Sequence, residues 1–559
     1  MKLVPLLVCF LGSGMLAVGV PEAPTGLEAK VLPNKLGLDL NEYSLTWKGE
    51  GLASWQVLVA STRARLAAEV GDMWDSGRNA AVDGAQPVRY RGQALYSGDT
   101  VWWKVRGFGD KDEAGSWSEP QVLEVPAGEE TRSNQVVLVG GTLISRMDRH
   151  GYLEHAITVN WPQHNISFRN LGWPADDVFG TARSEFGSAH NTRSWQPPKG
   201  QTGFGFEKLK GQLVETQPST IMVGYGGEAA FADTGEKMAR FEAGYRALIE
   251  ELENTGAKLI LLTPLAQTPS GAVLNAEEVA VRNGRLGKAA RFILALGKER
   301  SHDAIDLLSE SPFGEEAASS YQNGIHLNGD GYRRLATYIG QKLGLGSVAS
   351  EPARGTPGKL ERTRLGVRYN LALHQLPSLL HGAVTAAGKG TTRIWIDGAE
   401  VVVDARDGVV RSGPDYAQAG KLRETIIEKN KLHRYKINPI NKAYIFLFRR
   451  HEMGHLAYEL KDFDELVEGR EQAIARLRVP LPHRYEHEDS REWKSPRNYP
   501  DHEVPRDIPD PDVAAELKAF KVAEGFKVNL WARNPVIFNP INMNWDRHNR
   551  AWVSTSSTY

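Results

Sequence analysis

"QVVLVGGTLISRM", residues 135–147, joins a short apolar run to a Gly-Gly turn and a second, mixed apolar stretch. The run before the glycines is typical of a buried strand, and the glycines allow a sharp turn directly after it. Thr142 follows that turn and carries a hydroxyl at the point where the strand ends. The stretch therefore predicts a strand of a parallel sheet with a candidate reactive residue at its carboxyl end.

Four more short stretches rich in apolar residues follow, "NISFRNLG", "STIMVGYG", "AKLILLTPL" and "DAIDLLS". Helical patterns separate them; in 236–257, for example, Phe241, Tyr245 and Leu248 recur at helical spacing. Alternating strands and helices predict a doubly wound α/β domain over residues 133–347. In such sheets ligands bind at the carboxyl ends of the strands. The loops of interest follow Val139, Leu171, Tyr225, Pro264 and Leu308.

The region before this domain, residues 21–127, reads as all-β. Runs such as "YSLTWKG", "SWQVLVAS" and "TVWWKVRGFG" are rich in Val, Trp and Tyr and are separated by turn residues. They predict a two-sheet sandwich in which the tryptophans serve packing rather than sugar binding. These tryptophans are Trp47, Trp74, Trp103 and Trp117. The runs resemble the fibronectin-III-like module at the front of some bacterial rhamnosidases. A polar linker, "GEETRSN", follows it.

The first twenty residues, "MKLVPLLVCFLGSGMLAVGV", carry one lysine followed by an uncharged apolar stretch. Ala17-Val18-Gly19 resembles a signal-peptidase site, so residues 1–20 are predicted to be a signal peptide. The expected location is the periplasm, the cell envelope or the medium; an uncleaved segment would instead associate with the membrane. Cys9, the only cysteine, lies inside this segment. The mature chain is therefore expected to have no disulfide.

The overall charge of the chain argues against nucleic acid as a partner. The 559 residues are 41% hydrophobic and 24% charged, with a net charge of −1. Those values are ordinary for a soluble globular protein. A nearly neutral chain offers no general electrostatic attraction to nucleic acid. Any ligand must therefore be recognised at a local site, and no nucleic-acid partner is predicted.

Four sequence blocks resemble those of the SGNH (GDSL-like) hydrolases in order and spacing. They are "VVLVGGTL", "RNLGWPADD", "VGYGGEAAF" and "NGIHLNGDGY". The resemblance implies an esterase in which a serine attacks, a histidine deprotonates it and an aspartate holds the histidine. It also implies an oxyanion hole that includes a glycine amide and an asparagine side chain. In this sequence the implied positions are Thr142 (nucleophile), Gly172 and Glu228 (oxyanion hole), Asn323 (aspartate position) and His326 (base).

Three of these five positions depart from the family pattern. The methyl group of Thr142 restricts the rotation of its hydroxyl. Asn323 supplies no charge to stabilise imidazolium, a change that costs serine hydrolases roughly 10⁴-fold in turnover. An ionised Glu228 would repel a developing oxyanion, whereas a protonated Glu228 could donate to it. The site is therefore predicted to be degenerate. Ser145 is an alternative nucleophile three residues on.

Two readings of the degenerate site stay open. In the first, the domain is an esterase acting on carbohydrate or acyl esters. In the second, it is a non-catalytic carbohydrate-binding or scaffolding module that keeps the cleft without the reaction. On the second reading His326 braces the last loop by hydrogen bonding, and Gly172 serves only a tight turn.

A boundary rich in Pro, Gly and charge, "SEPARGTPGKLERTR", follows the α/β domain. Residues 355–480 are predicted to be an accessory segment of helices with a small β insertion at 391–413. Residues 481–512, rich in Pro, His and acid, read as an extended linker in which His483 and His487 are solvated. Residues 513–559 contain a few candidate strands and read as an incomplete domain.

"HEMGH", residues 451–455, matches the zinc motif HExxH. On a helix, His451 and His455 would bind zinc and the intervening glutamate would act as a base. The extended pattern fails, because Lys461 stands where a third histidine is expected; Glu468 and Glu471 are the remaining third ligands. The alternative is a turn or helix start that packs on the α/β domain. A zinc protease is the third functional hypothesis, and no metal or cofactor is assigned.

The order of these segments resembles that of the PVC-type membrane-bound dehydrogenase-like proteins of bacteria. The stretches that carry the resemblance are "LRETIIEKNKLHRYKINPINKAYIFLFRRHEMGHLAYEL" and "LKAFKVAEGFKVNLWARNP" with "INMNWDRHNRAWVS". The resemblance implies that residues 513–559 begin a β-propeller related to sugar dehydrogenases. No CxxCH haem motif occurs in the sequence, so no haem function is assigned to this chain. The oligomeric state is not predicted.

Overall fold

The computed structural model describes most of the chain from residue 21 onward. The described residues are 21–32, 35–38, 42–49, 52–80, 87–93, 95–96, 98–109, 113–126, 134–184, 204–271, 274–314, 317–345, 355–357, 361–363, 366–379, 393–404, 408–440, 456–488, 512–533, 536–537 and 540–555. The chain divides into two compact units, Met1–Arg491 and Glu492–Tyr559. The predicted signal peptide and the HEMGH motif lie outside the described residues.

The N-terminal region is a β-sandwich, as predicted. One sheet has the order β1-β2-β6, and the other has the order β4-β3-β7-β8 with β5 paired to β3. The strands are β1 (Thr25–Val31), β2 (Tyr43–Lys48), β3 (Ser54–Ala60), β4 (Trp74–Asp75), β5 (Asn79–Ala80), β6 (Val88–Arg89), β7 (Thr100–Phe108) and β8 (Gln121–Glu124); helix α1 is Arg63–Ala67. Trp74 and Trp103 are buried in the core between the sheets, which confirms their predicted packing role.

The α/β domain is built on a five-stranded parallel sheet. Its strands are β9 (Gln135–Gly140), β10 (Ser167–Asn170), β11 (Thr220–Gly224), β12 (Lys258–Leu262) and β13 (Asp303–Ile305). Its helices are α2 (Thr142–Met147), α3 (Tyr152–Asn160), α4 (Thr181–Ser184), α5 (Phe204–Thr216), α6 (Gly235–Glu253), α7 (Ala276–Glu299) and α8 (Gly329–Lys342). The strand order, β10-β9-β11-β12-β13, is the 2-1-3-4-5 order of flavodoxin-like folds.

Both faces of this sheet are buried, because side chains on β9 alternate between two cores. Val136 and Leu138 belong to one apolar cluster, and Val137 and Val139 belong to the other. A strand buried on both faces reads as a continuous apolar run, which is the pattern in residues 135–139. The chain leaves β9 toward β10 on one side and β11 lies on the other, so the switch point falls at the carboxyl end of β9.

The sandwich and the α/β domain share core residues. Leu36 and Leu38, from the connection between β1 and β2, are buried in the apolar cluster of the α/β sheet. The hydroxyl of Thr220, at the start of β11, donates to the carbonyl of Leu36. Burying a leucine contributes about 1.5–3 kcal/mol, so this insertion stabilises the two domains against separation. The sandwich is part of the same folded unit.

The accessory segment forms a mixed layer of strands and helices. Its strands are β14 (Gly355–Pro357), β15 (Glu361–Arg362), β16 (Gly366–Leu373), β17 (Ile394–Ile396), β18 (Ala399–Val401) and β19 (Pro482–Glu488), in the order β14-β16-β19-β17-β18 with β15 paired to β16. Its helices are α9 (Pro414–Ile437), α10 (Leu456–Glu459) and α11 (Asp462–Leu477). The predicted β insertion corresponds to β17 and β18.

Strand β19 corrects the prediction of a linker that begins at residue 481. Pro482–Glu488 pairs with β16 on one side and β17 on the other. Tyr485 and His487 are buried, and Nδ1–H of His483 donates to the carboxylate of Asp397 at 2.7 Å, so these histidines are not solvated in a linker as predicted. The sequence did not indicate this strand, because it is rich in proline, histidine and acidic residues. Its buried positions are Tyr485 and His487, which do not form an aliphatic alternating pattern.

Helix α9 covers the open edge of the α/β sheet. Strand β10 is an edge strand, and edge strands leave unpaired backbone groups. Lys429 on α9 donates to the carbonyl of Phe168 at 3.2 Å, and Arg434 donates to the carbonyl of Asn170 at 3.4 Å. These two side chains satisfy backbone carbonyls of the edge, so the accessory segment completes the α/β domain.

The second unit contains helix α12 (Val513–Ala519) and the strands β20 (Pro540–Trp545) and β21 (Ala551–Thr555). The two strands form an antiparallel sheet by themselves. A propeller that begins here stays a prediction. No helix in the described parts of the chain is both long enough and apolar enough to cross a membrane.

Candidate active-site cleft

Thr142 begins helix α2 directly after strand β9. A side chain on Gly140 would meet the carbonyl oxygen of Gly224 at 2.5 Å, so the turn requires glycine there. The hydroxyl oxygen of Thr142 accepts a hydrogen bond from the backbone N–H of Ala175 at 2.8 Å. Ser145, the alternative nucleophile, is buried and does not line the cleft that Thr142 faces.

The backbone amide that contacts the Thr142 hydroxyl is that of Ala175, whereas the sequence implied Gly172 as the amide donor of the oxyanion hole. The Gly172 N–H donates to the side-chain oxygen of Asn170 at 2.8 Å and is buried away from the cleft. Gly172 is needed for close packing instead, since a Cβ there would meet the backbone nitrogen of Ser145 at 2.6 Å. Ala175 has a φ of 57°, a left-handed conformation that favours glycine.

A buried network holds the loop that carries Ala175. The carboxylate of Asp176 accepts from the N–H of Ala182 and from the Tyr225 hydroxyl, both at 3.0 Å. Arg183 is completely buried and donates to the carbonyl of Leu171 at 2.7 Å. Burial raises the pKa of Asp176, and the charge of Arg183 opposes that shift. The loop is therefore fixed from beneath, and this fixes the position of the Ala175 amide.

Glu228 lies on a short 3₁₀ helix, Gly227–Phe231, that follows strand β11. One carboxylate oxygen accepts from the N–H of Gly226 at 2.9 Å, and the other is buried without a hydrogen-bond partner. Burial raises the pKa of Glu228 to about 7, and the negative charge of Asp177 adds to the shift. Its charge in turn raises the pKa of the buried Tyr245 hydroxyl, after the larger effect of burial. Glu228 is thus partly neutral near pH 7.

The raised pKa of Glu228 predicts a specific pH dependence of stability. Between pH 4.5, its ordinary pKa, and about 7, the folded chain holds a proton that the unfolded chain has released. Stability from this group is therefore complete below the lower value and is lost as the pH rises through the upper one. We expect Glu228→Gln to melt at a higher temperature than wild type at about pH 8 and at the same temperature near pH 4.

Thermal unfolding followed by circular dichroism at the two pH values measures this effect. The matched control is Glu236→Gln, an exposed glutamate in the first turn of α6. A Glu228→Gln chain that is destabilised equally at both pH values would contradict the assignment of a raised pKa.

Asn323 and His326 form a compact turn before helix α8. The side-chain oxygen of Asn323 accepts from the N–H groups of Ile325 at 3.2 Å and His326 at 2.8 Å. Its amide nitrogen lies 3.1 Å from Nδ1 of the His326 ring. A reversed amide would place its NH₂ group against two backbone donors, so the orientation is fixed. Burial, followed by the charge of Arg146, lowers the pKa of His326.

Three of the five predicted site residues line one cleft. Thr142, Glu228 and His326 share a cavity of about 440 Å³ at the carboxyl edge of the sheet. Asn323 stands behind His326, and Gly172 lies outside the lining. No hydrogen bond joins the Thr142 hydroxyl to His326 within the described part of the chain. The remaining walls are mostly apolar and include Leu143, Phe231, Leu265, Leu286, Ile325 and Tyr332.

Sequence reasoning missed two residues of the cleft. Ala175 carries no signal in the sequence, because a left-handed alanine does not differ from any other alanine. Gln267 lies in the loop after β12, where its side chain is buried and faces the cleft. The position of that loop was predicted from the sheet, but no pattern distinguished Gln267 within it.

Family models match two regions of the chain. Residues 24–127 match the model of the Rha78A-like, N-terminal immunoglobulin domain. Residues 512–559 match a domain of unknown function, DUF7133. The first match confirms the predicted rhamnosidase-type sandwich.

Two curated proteins share short regions with this chain. The vitamin B6 salvage pathway transcriptional repressor PtsJ of Salmonella typhimurium is 29% identical over 137 residues, which are 24% of this chain and 29% of that protein. An alpha-L-rhamnosidase of Formosa agariphila is 24% identical over 135 residues, 23% of this chain and 14% of that protein. The chain thus spans less than a third of either relative.

Several solved structures are similar to parts of this chain. A gut microbial diltiazem-metabolizing enzyme covers 64% of this chain and 97% of its own, at 11% identity and a TM-score of 0.47. An acetyl xylan esterase covers 37% and 98%, at 16% identity and a TM-score of 0.28. A lipase/acylhydrolase from Enterococcus faecalis covers 37% and 94%, at 17% identity and a TM-score of 0.27. The chain therefore combines an N-terminal domain that matches the Rha78A-like immunoglobulin model with a five-stranded parallel α/β domain.

Proposed function

We propose that the α/β domain binds a carbohydrate or acyl-ester ligand in its hydrolase-like cleft and does not hydrolyse it at an enzymatic rate. One observation carries this proposal, the contact between the Asn323 amide nitrogen and Nδ1 of His326. This contact favours the non-catalytic binding module over the esterase, which was the first hypothesis drawn from the sequence.

The contact determines which nitrogen of His326 carries the proton. Because Nδ1 accepts from the Asn323 amide, the neutral imidazole holds its proton on Nε2. A general base in this family needs the opposite tautomer, with a lone pair on Nε2 directed at the nucleophile. His326 is therefore a hydrogen-bond donor to the cleft and a poor base for Thr142.

The departures from the family pattern at Thr142 and Glu228 also disfavour hydrolysis. The Thr142 hydroxyl lacks a hydrogen bond to His326, and its oxygen is engaged by Ala175 instead. An ionised Glu228 disfavours the negative charge that develops on a carbonyl oxygen, and its raised pKa removes only part of that charge at neutral pH. Polar groups that line a cleft without completing a catalytic set support binding more than turnover.

The same proposal includes an exported protein. The leader-like residues 1–20 support export, and so does the sandwich, which matches the model of the Rha78A-like, N-terminal immunoglobulin domain. A larger architecture with a propeller and a haem segment belongs to this proposal as well. It rests on the resemblance of residues 513–559 to the start of such a propeller.

Hydrolysis of p-nitrophenyl acetate tests the central point. We expect the wild-type chain, Thr142→Ala and His326→Ala to release p-nitrophenol at one and the same rate, close to that of buffer. A wild-type rate that drops by about 100-fold or more in Thr142→Ala would overturn the proposal and restore the esterase reading.

A further inference from the structure

We infer that the ligand of this cleft is a saccharide without negative charge and with free hydroxyl groups, and that Glu228 and Gln267 accept hydrogen bonds from those hydroxyls. The inference rests on the proposed function, because it specifies the ligand that the same cleft binds. It goes further by assigning the ligand's charge and hydrogen-bonding character.

The charge of the lining excludes an anionic ligand. Among the described residues that line the cleft there is no lysine or arginine. The two acidic residues are Asp176, which is engaged by Arg183 and Tyr225, and Glu228. A carboxylate or phosphate placed here would meet a carboxylate with no cation in the lining to compensate it. The lining therefore favours a ligand without negative charge.

Two buried acceptors in the lining have no partner. The side chain of Gln267 is 7% exposed, and its Oε1 makes no hydrogen bond. The backbone of Gln267 is fixed at both its N–H and its carbonyl by Asn283, at 2.8 and 2.9 Å. Oε1 of Glu228 is likewise buried and without a partner. Buried polar groups normally have partners, so this pair indicates a ligand that supplies donors.

Two donors complete the set. Nε2–H of His326 is left over once Nδ1 has accepted from Asn323. The Thr142 oxygen accepts from Ala175, which leaves the hydroxyl hydrogen to donate. A sugar hydroxyl both donates and accepts, so one class of ligand satisfies all four groups. An ester without free hydroxyls could use only the two donors.

The apolar walls fit the faces of a sugar ring. Leu143, Leu265, Leu286 and Ile325 line the cleft, and Phe231 is 61% exposed. Aromatic and aliphatic side chains pack against the C–H faces of a ring while its hydroxyls turn to the polar groups. The cleft therefore combines polar hydrogen-bonding groups with apolar walls.

Calorimetric titration with matched ligands tests the inference. The probes are methyl glycosides of xylose, glucose, galactose and rhamnose, with their fully acetylated forms, and methyl glucuronide as the anion. We expect at least one neutral glycoside to bind about tenfold or more tightly than its acetylated form. We also expect it to bind more tightly than the anionic ring.

Variants assign the contacts. Glu228→Gln and Gln267→Met are each expected to weaken binding of the free glycoside by about tenfold while leaving the acetylated form unchanged. The controls are Glu236→Gln and Gln472→Met, whose side chains are exposed. Equal or tighter binding of the acetylated or anionic probes would overturn the inference, and so would binding by none of the neutral glycosides. The acetate assay reports separately on the proposed function, since it measures turnover without any sugar.

Discussion

The triple variant Thr142→Ser/Glu228→Asn/Asn323→Asp is expected to hydrolyse p-nitrophenyl acetate roughly 10⁴-fold faster than the wild-type chain. The turn before α8 already suits an aspartate, because the N–H groups of Ile325 and His326 both donate to the side-chain oxygen at position 323. The second carboxylate oxygen would then accept from Nδ1 of His326. This moves the lone pair to Nε2, where a base needs it.

The three substitutions contribute unequally. Asparagine in place of the aspartate costs serine hydrolases roughly 10⁴-fold, so Asn323→Asp alone should give the largest single gain. Glu228→Asn adds a donor to the oxyanion hole, an effect on the order of 10²–10³-fold when one donor is lost. Such effects are not additive, because the groups act as a unit.

The control for this variant is the same chain with His326→Ala added, which should return the rate to background. A folded triple variant that stays as inactive as the wild type would show that the three positions do not belong to one active site. Circular dichroism and melting temperature establish that the variants are folded.

The second expected result concerns stability. Lys429→Met should lower the free energy of unfolding by about 3–5 kcal/mol, measured by urea denaturation. Lys429 on α9 is completely buried and forms an ion pair with Glu154 on α3, which also accepts from Asn430 at 3.0 Å. Removing the cation leaves a buried carboxylate without its counter-charge. Burial already raises the pKa of Glu154, with Lys429 opposing the shift.

Two further chains separate the ion pair from general damage to packing. Glu154→Met/Lys429→Met removes both charges and should recover most of the loss, since apolar replacement of a buried pair is often neutral. Lys421→Met removes the cation of an exposed pair with Glu424 and should cost less than about 1 kcal/mol. If Lys429→Met costs no more than Lys421→Met, α9 does not complete the α/β domain as described.

The parallel sheet could be predicted because the burial of its strands produces apolar runs that are visible in short stretches of sequence. Strand β9 is buried on both faces, and that condition alone produces the apolar run from Val136 to Val139. The loops at the carboxyl ends of the strands followed from the order of elements, and the resemblance to the SGNH hydrolases implied that Thr142, Glu228 and His326 lie near one another there.

Three features could not be predicted, because each is determined by contacts with residues that are distant in the sequence. The conformation of Ala175 is imposed by its loop, which Asp176 and Arg183 hold from below. Strand β19 lies between two strands distant in sequence, and its buried positions are Tyr485 and His487, which do not form an apolar pattern. Leu36 fills the core of a domain that begins about a hundred residues later. None of these contacts has a periodicity that a single sequence can display.

The most direct test of the account is the protonation state of the His326 ring. Long-range proton–nitrogen correlation NMR on the full chain with nitrogen-15-labelled histidine distinguishes the two tautomers, and His326→Gln identifies the signals. We expect a pyridine-like Nδ1 and a pyrrole-like Nε2 at neutral pH in the wild type, and the reverse in Asn323→Asp. A pyrrole-like Nδ1 in the wild-type chain would mean that His326 is poised as a base, and would contradict a cleft that binds without hydrolysing.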